Sequence, residues 1–228
     1  MTGNILITGG ASGLGEATAE AVAKAGGRPL VVDLRPPANG SVTDHVTADL
    51  ADRARTERAV RELADRAGGL DGVVTAAGID ACGRLADVPA GAWERVLQVN
   101  LLGTVSVVRA ALPYLVESRG RVVTVASTLG LRAVSDATAY CAAKFGVVGF
   151  TRALAAELAG QVGVTLLVPG GMRTRFFDDR EEQYRPGADA LLNQPEDVAA
   201  AIVFALGRPV GCEVRELVVC PATETSWP

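Results

Sequence analysis

Gly3-Asn-Ile-Leu-Ile-Thr8 runs straight into Gly9-Gly10-Ala11-Ser12-Gly13-Leu14-Gly15. The first six residues form a short apolar run, the pattern of a strand buried on both faces of a parallel sheet. The glycines allow a tight turn and close backbone approach. A helical pattern then continues to about Ala25 and ends at Gly26-Gly27. Strand, glycine-rich turn and helix, in that order, bring a helix N-terminus to the turn, and such an end attracts phosphate. A glycine-rich loop alone is a weak signal, but its position between the first strand and the first helix is the context a dinucleotide site needs.

Further along, Leu30–Asp33 reads as a second strand ending on an acid, 18 residues after Gly15. A carboxylate there can accept hydrogen bonds from both hydroxyls of an adenine ribose and repels a 2′-phosphate, which favours NAD over NADP. Arg35 works the other way, because a cation nearby welcomes that phosphate. Residues 34–43, with Pro36-Pro37 and Asn39-Gly40, read as a loop. More strands are expected at His45–Ala48, Gly72–Ala77, Arg121–Ser127, Val162–Val168 and Val214–Val219. Helices are expected at 51–67, at 88–117 with a break near 98–100, at 138–160 and at 195–206. Strands alternating with helices predict an α/β, Rossmann-type doubly wound parallel sheet of about seven strands, with helices on both faces. Ligands in such sheets sit at the carboxyl ends of the strands. Gly9, Asp33, Gly78, Ser127 and Pro169 end or follow strands and should converge on one edge.

The 228 residues carry no low-complexity break, so residues 1–228 are read as one domain, with a short mobile lid at 170–194. Composition is globular, at 49% hydrophobic and 21% charged residues. Net charge is -4 with scattered basic residues, which gives no footprint for nucleic acid. No uninterrupted run of eighteen apolar residues predicts a membrane span. Met1 leads directly into a strand pattern, unlike a signal peptide. Cys82, Cys141, Cys212 and Cys220 are widely spaced, which suits free thiols in a reducing cytoplasm. His45 is the single histidine and reads as a partly exposed strand residue. Histidine-based metal or nucleophile chemistry is thus nearly excluded, and no metal is expected. Trp93 is expected to pack, and Trp227 to dock on this chain or a partner.

Proton transfer then has to come from elsewhere. Tyr140 and Lys144 are four apart, hence on one face of a helix. A cation one turn away favours phenolate and lowers the tyrosine pKa from its usual value near ~10. The pair is a plausible acid/base device, although most Tyr and Lys residues at this spacing are ordinary neighbours.

With these pieces in order, the chain resembles the short-chain dehydrogenase/reductase family over essentially its whole length. Thr8–Gly15 matches the family's Thr-Gly-x-x-x-Gly-x-Gly, whose spacing differs from that of the extended sugar-epimerase branch. Asp49-Leu50 matches the pair that contacts adenine. Asn100, Ser127, Tyr140 and Lys144 match the catalytic four. Pro169-Gly170 with Thr174 matches the nicotinamide-side motif, and Pro195-Glu196-Asp197-Val198-Ala199 the helix after the lid. One departure is Thr75-Ala76-Ala77-Gly78, where family members usually carry an asparagine in place of Thr75. That asparagine braces the centre of the sheet, so Thr75 or a neighbour is expected to brace it instead. Cys141, after the tyrosine, is expected to be packed.

The resemblance implies hydride transfer between a nicotinamide and a carbonyl or secondary alcohol. It implies Tyr140 as proton carrier, and Lys144 as ribose clamp and electrostatic support of Tyr140. Ser127 would anchor the reacting oxygen, and Asn100 would hold a water linking Lys144 to solvent. Gly9, Ser12, Gly13, Leu14, Gly15, Asp33, Asp49, Leu50, Ala77, Gly78, Tyr140, Lys144, Pro169, Gly170, Met172 and Thr174 become the expected cofactor residues. NAD is the expected cofactor and a small carbonyl or alcohol the expected substrate. The alternatives are an NADP-dependent reductase of the same chemistry and a non-catalytic nucleotide-binding module. The family's assembly through its long helices and last strand implies a homo-oligomer, a tetramer or a dimer.

Overall fold

The apolar runs become strands whose side chains alternate between two cores. The computed structural model describes residues 3–38, 40–42 and 44–225. Met1, Asn39 of the expected loop and Trp227 of the expected docking tail lie outside them. β1 (Asn4–Thr8) sends Ile5 and Ile7 to one face and Leu6 to the other. β2 (Arg28–Asp33) does the same with Val31 against Leu30 and Val32. β4 (Gly72–Thr75) splits Val74 from Val73, and β5 (Arg121–Val125) splits Val123 and Val125 from Val122. With both faces covered, these strands are apolar through their middles on both sides, as a parallel sheet favours.

Helices α1 (Gly13–Lys24) and α6 (Pro195–Leu206) cover one face through Leu14, Val22, Val198, Ile202 and Leu206. α2 (Arg53–Ala67), α4 (Thr104–Ser118) and α5 (Thr138–Glu157) cover the other through residues such as Val60, Leu63, Val107, Leu115 and Leu154. With β3 (Asp44–Thr47), β6 (Gly163–Pro169) and β7 (Glu216–Val219), the described residues form one seven-stranded parallel sheet in the order β3-β2-β1-β4-β5-β6-β7. The chain winds outward from β1 to β3, then crosses back to β4. The order therefore reverses between β1 and β4, and a crevice opens above their carboxyl ends.

Several boundaries differ from the sequence reading in ways that bear on that crevice. β4 and β5 stop at Thr75 and Val125, two residues before the expected Ala77 and Ser127. Their continuations leave the ladder and line the crevice. The expected break near residues 98–100 is instead a π-helical turn, Gln98–Gly103, joining α3 (Ala90–Leu97) to α4 without interruption. Wide turns of this kind concentrate at functional sites. The resulting stretch Ala90–Ser118, whose most apolar window has a mean hydropathy of 1.5, is long and apolar enough to cross a membrane, which the interrupted apolar runs did not suggest. More than half of its most apolar window is buried in the fold, where it packs on α2 and α5. Trp93 joins this packing and donates its indole N–H to Thr138 Oγ1 at 3.0 Å.

The lid at 170–194 is not structureless. It contains two 3-10 turns, Arg175–Phe177 and Glu182–Tyr184. Its base is stitched by a bridge between Met172 and Asn193, and Asn193 Nδ2 donates to Val219 O on β7 at 2.9 Å.

Candidate active site

Three glycine positions shape the floor of the crevice. Gly9 sits at φ +73°, and a Cβ there would lie 2.8 Å from Ala77 Cα, so the turn after β1 presses against the segment after β4. Thr8 Oγ1 reinforces that contact by accepting the Ala77 N–H at 3.2 Å. Gly13 sits at φ +55°, with Thr174 3.3 Å from where a Cβ would be. A Cβ on Gly15 would overlap the Gly9 carbonyl. Gly15 therefore packs the turn from behind and does not line the crevice. Ser12 caps α1 with its backbone only, which leaves the first N–H groups of the helix to face the opening. These features fit the pyrophosphate of a dinucleotide.

The crevice is large, about 1390 Å³, which is enough for a dinucleotide and a small substrate together. Of the expected residues, Gly9, Ser12, Gly13, Leu14, Asp33, Asp49, Leu50, Ala77, Gly78, Ser127, Tyr140, Lys144, Pro169, Gly170, Met172 and Thr174 all line it, and Gly15 and Asn100 do not. At one end Asp33 is held rigidly at the tip of β2, its Oδ2 accepting the Ala11 N–H and its Oδ1 the Arg35 N–H, each at 3.0 Å. Nearby, Asp49 accepts the Ala51 N–H at 2.9 Å and pairs with Arg95 at 3.0 Å. Burial raises the Asp49 pKa, but the Ala51 and Arg95 hydrogen bonds and the Arg95 charge outweigh it and hold the carboxyl below its ordinary value.

At the other end Tyr140 and Lys144 stand one turn apart on α5, both buried, with the Lys144 Nζ 5.5 Å from the Tyr140 ring centre. Lys144 donates to Val125 O at the end of β5, at 2.8 Å. Ser127 Oγ accepts the Leu129 N–H at 3.1 Å, which leaves its own O–H to be donated elsewhere. Burial pulls Lys144 down to about 8. Burial also drives the Tyr140 phenol well above its ordinary value, and the Ser127 hydroxyl draws it back only in part. Taking the phenolate out of water is the largest influence on Tyr140, and the groups that favour the phenolate are the Ser127 hydroxyl and the Arg180 charge.

Asn100 is fixed on the segment after β4. Its Oδ1 accepts the Ile79 N–H and its Nδ2 donates to the Ile79 carbonyl, both at 2.8 Å. The amide thereby clasps the backbone after β4. It remains close to Lys144: a Cβ on Gly78 would lie 3.6 Å from Asn100 Oδ1 and 3.8 Å from Lys144 Nζ. Thr75 braces nothing, since its buried hydroxyl has no hydrogen-bond partner among the described residues. Cys141 is buried as expected.

The sequence reading missed a cluster over Tyr140. Arg180 in the lid pairs with Asp80, just after β4, at 2.6 Å. Phe176 lies 5.6 Å, ring to ring, from Tyr140. Cys82 donates its thiol to Asp80 Oδ2 at 3.2 Å, and burial beside that carboxylate pushes its pKa up to about 12. Asp80 and Arg180 are one hundred residues apart, one just past the turn at Gly78 and the other in the stretch expected to be a mobile lid. No local pattern could have joined them.

The profile of the short chain dehydrogenase family matches residues 3–185. The chain is 34% identical over 225 residues to 2-(S)-hydroxypropyl-CoM dehydrogenase 3 of Xanthobacter autotrophicus, covering 89% of this chain and 88% of that one. It is 31% identical over 216 residues to the 3-oxoacyl-(acyl-carrier-protein) reductase of Thermotoga maritima, covering 87% and 88%. Among solved structures, actinorhodin polyketide ketoreductase with NADPH superposes with a TM-score of 0.88 at 28% identity, covering 98% of each chain. With a glycine-rich turn under a helix N-terminus, and a serine, a tyrosine and a lysine around one crevice, the chain belongs to the short-chain dehydrogenase/reductase family, oxidoreductases that act on alcohol and ketone groups with a nicotinamide cofactor.

Proposed function

We propose that this protein is an NAD(H)-dependent oxidoreductase of small carbonyl or secondary alcohol substrates, with Tyr140 as its acid/base. The observation that carries this reading is the convergence of Ser127, Tyr140 and Lys144 at one end of the crevice whose other end holds Asp33. The nicotinamide, when bound, supplies or accepts the hydride. In reduction the Tyr140 O–H bond breaks and its proton passes to the substrate oxygen; in oxidation Tyr140 takes that proton back. Burial keeps the phenol protonated at neutral pH, which suits it to the donor role and to ketone reduction. The Ser127 hydroxyl, its oxygen already satisfied by Leu129, donates to the substrate oxygen and fixes its position. Lys144 uses one N–H on Val125 and has two left for ribose hydroxyls.

Asp33 supports NAD. Each carboxylate oxygen is fixed by one backbone N–H and keeps a lone pair for a ribose hydroxyl, while its charge repels a 2′-phosphate. Arg35 lines the same end and favours the second reading, an NADP-dependent reductase of the same chemistry. Fluorescence titration with NADH and NADPH separates the two: tighter NADH is expected, and Asp33→Ala should weaken NADH and relax the discrimination. Unchanged preference in Asp33→Ala would remove Asp33 from the reading. A homotetramer is the proposed assembly, supported by exposed apolar side chains at Leu102 and Phe145 on the long-helix face and at Phe204 and Val218 beside the edge strand β7. A cytoplasmic location is proposed on the four free thiols.

A further inference from the structure

The Asp80–Arg180 pair joins the lid to the catalytic end by a continuous set of contacts. Asp80 follows Ile79, whose backbone is clasped by Asn100. Arg180 Nη2 donates to Asp80 Oδ2 at 2.6 Å, with both side chains largely buried. Its guanidinium lies 5.0 Å from the Phe176 ring centre and 4.6 Å from that of Phe177, and Phe176 in turn lies against Tyr140. Arg180 also holds the lid from within: its Nη1 donates to Tyr184 O at 3.3 Å, and Arg185 donates back to Arg180 O at 2.7 Å. Among the described residues the Arg180 Nε is buried without a partner, and Asp80 and Tyr184 are the acceptors that hold the guanidinium.

We infer that Asp80 and Arg180 are positioning residues for the reaction, an ion-pair latch that seats Phe176 on Tyr140 and so closes the substrate-side wall of the crevice. The inference rests on the oxidoreductase reading for what the wall encloses, though not for the latch itself. A buried ion pair that loses one partner leaves the other charge stranded in a poor solvent, and the segment carrying it tends to open. The Met172–Asn193 bridge and the Asn193–Val219 hydrogen bond hold the base of the lid, and the Asp80–Arg180 pair ties its middle to the segment after β4. Phe176 would then leave Tyr140, and the substrate would lose its apolar wall while the cofactor end, built on Gly9, Asp33 and Asp49, stayed intact.

The charges give a signature that simple loosening would not. Tyr140 is faced by Lys144 and Cys141 from α5, Ser127 from the end of β5, Asp80 from the loop after β4 and Arg180 from the lid. Asp80 disfavours the phenolate and Arg180 favours it. Removing Asp80 alone should therefore move the Tyr140 limb of the pH profile down, and removing Arg180 alone should move it up.

The test compares the wild type with Asp80→Asn, Arg180→Gln and the charge-keeping Arg180→Lys. Trypsin reads the lid directly at the exposed Arg173 and Arg175, with fragments identified by mass. Cleavage there should speed up about tenfold or more in Asp80→Asn and Arg180→Gln, and much less in Arg180→Lys. KM for the best ketone in a panel of cyclic ketones and 3-oxo esters should rise about tenfold, with NADH affinity unchanged within twofold. The two pH limbs should move in opposite directions. Variants that bind NADH as the wild type does, yet show neither faster cleavage nor a raised KM, would overturn the latch, and limbs moving the same way would overturn its electrostatic half. A wild type inactive across the panel would count against the oxidoreductase reading, while proteolysis would still judge the latch.

Discussion

Thr75 pairs with Thr8 of β1 on one side and Thr124 of β5 on the other, at the carboxyl end of the central strand. Thr124 satisfies its hydroxyl on Thr151 at 2.7 Å, whereas the Thr75 hydroxyl is buried without a partner among the described residues. An orphaned buried hydroxyl costs about 1–3 kcal/mol, and replacing it with a methyl of the same shape removes that cost. Thr75→Val should therefore raise the unfolding free energy by about 1 kcal/mol, read as a higher urea midpoint at unchanged slope. A lower midpoint would mean that the hydroxyl has a partner after all. The family's usual asparagine makes this position legible as a departure, but the sequence does not say whether the threonine braces the sheet. That depends on whether an acceptor lies within reach of a short side chain, which only the packing decides.

At the level of elements, the glycine-rich turn, the acid ending β2 and the Tyr–Lys spacing on α5 were legible because each depends on neighbours within a few residues. The π-helical turn was not. Its sequence, Gln98–Gly103, carries two poor helix formers, Asn100 and Gly103, which suggest a break and not a wider turn, and the extra residue is accommodated through tertiary contacts. One of these is Gly103, where a Cβ would lie 2.9 Å from Leu50. The turn directs Asn100 onto both polar groups of Ile79. Asn100→Ala would leave those groups without their partner and should cost about 2 kcal/mol of stability. It should also loosen the segment 76–80 and slow turnover, seen as lost hydrogen-exchange protection at the Ile79 amide. Retained protection there would contradict the clasp. The Asp80–Arg180 pair was hidden for a similar reason: Arg180 lies in a stretch without periodicity, and its partner Asp80 is far away in sequence.

Across the whole molecule, the doubly wound sheet with helices on both faces follows from apolar strands alternating with helices, and the structure adds the strand order that opens the crevice at the β1–β4 reversal. Assembly belongs to this scale as well. Sedimentation velocity should find a tetramer that Phe145→Glu, a charge placed on an exposed apolar site of α5, shifts to smaller species. A wild-type monomer would remove the proposed assembly. The central claim, that a buried phenol moves the proton while the rest of the crevice holds the cofactor, is tested most directly in Tyr140→Phe. Turnover with NADH and the best ketone should fall by about 10²–10⁴-fold, with NADH affinity within a few-fold of wild type. Turnover near the wild-type rate in Tyr140→Phe would contradict the claim.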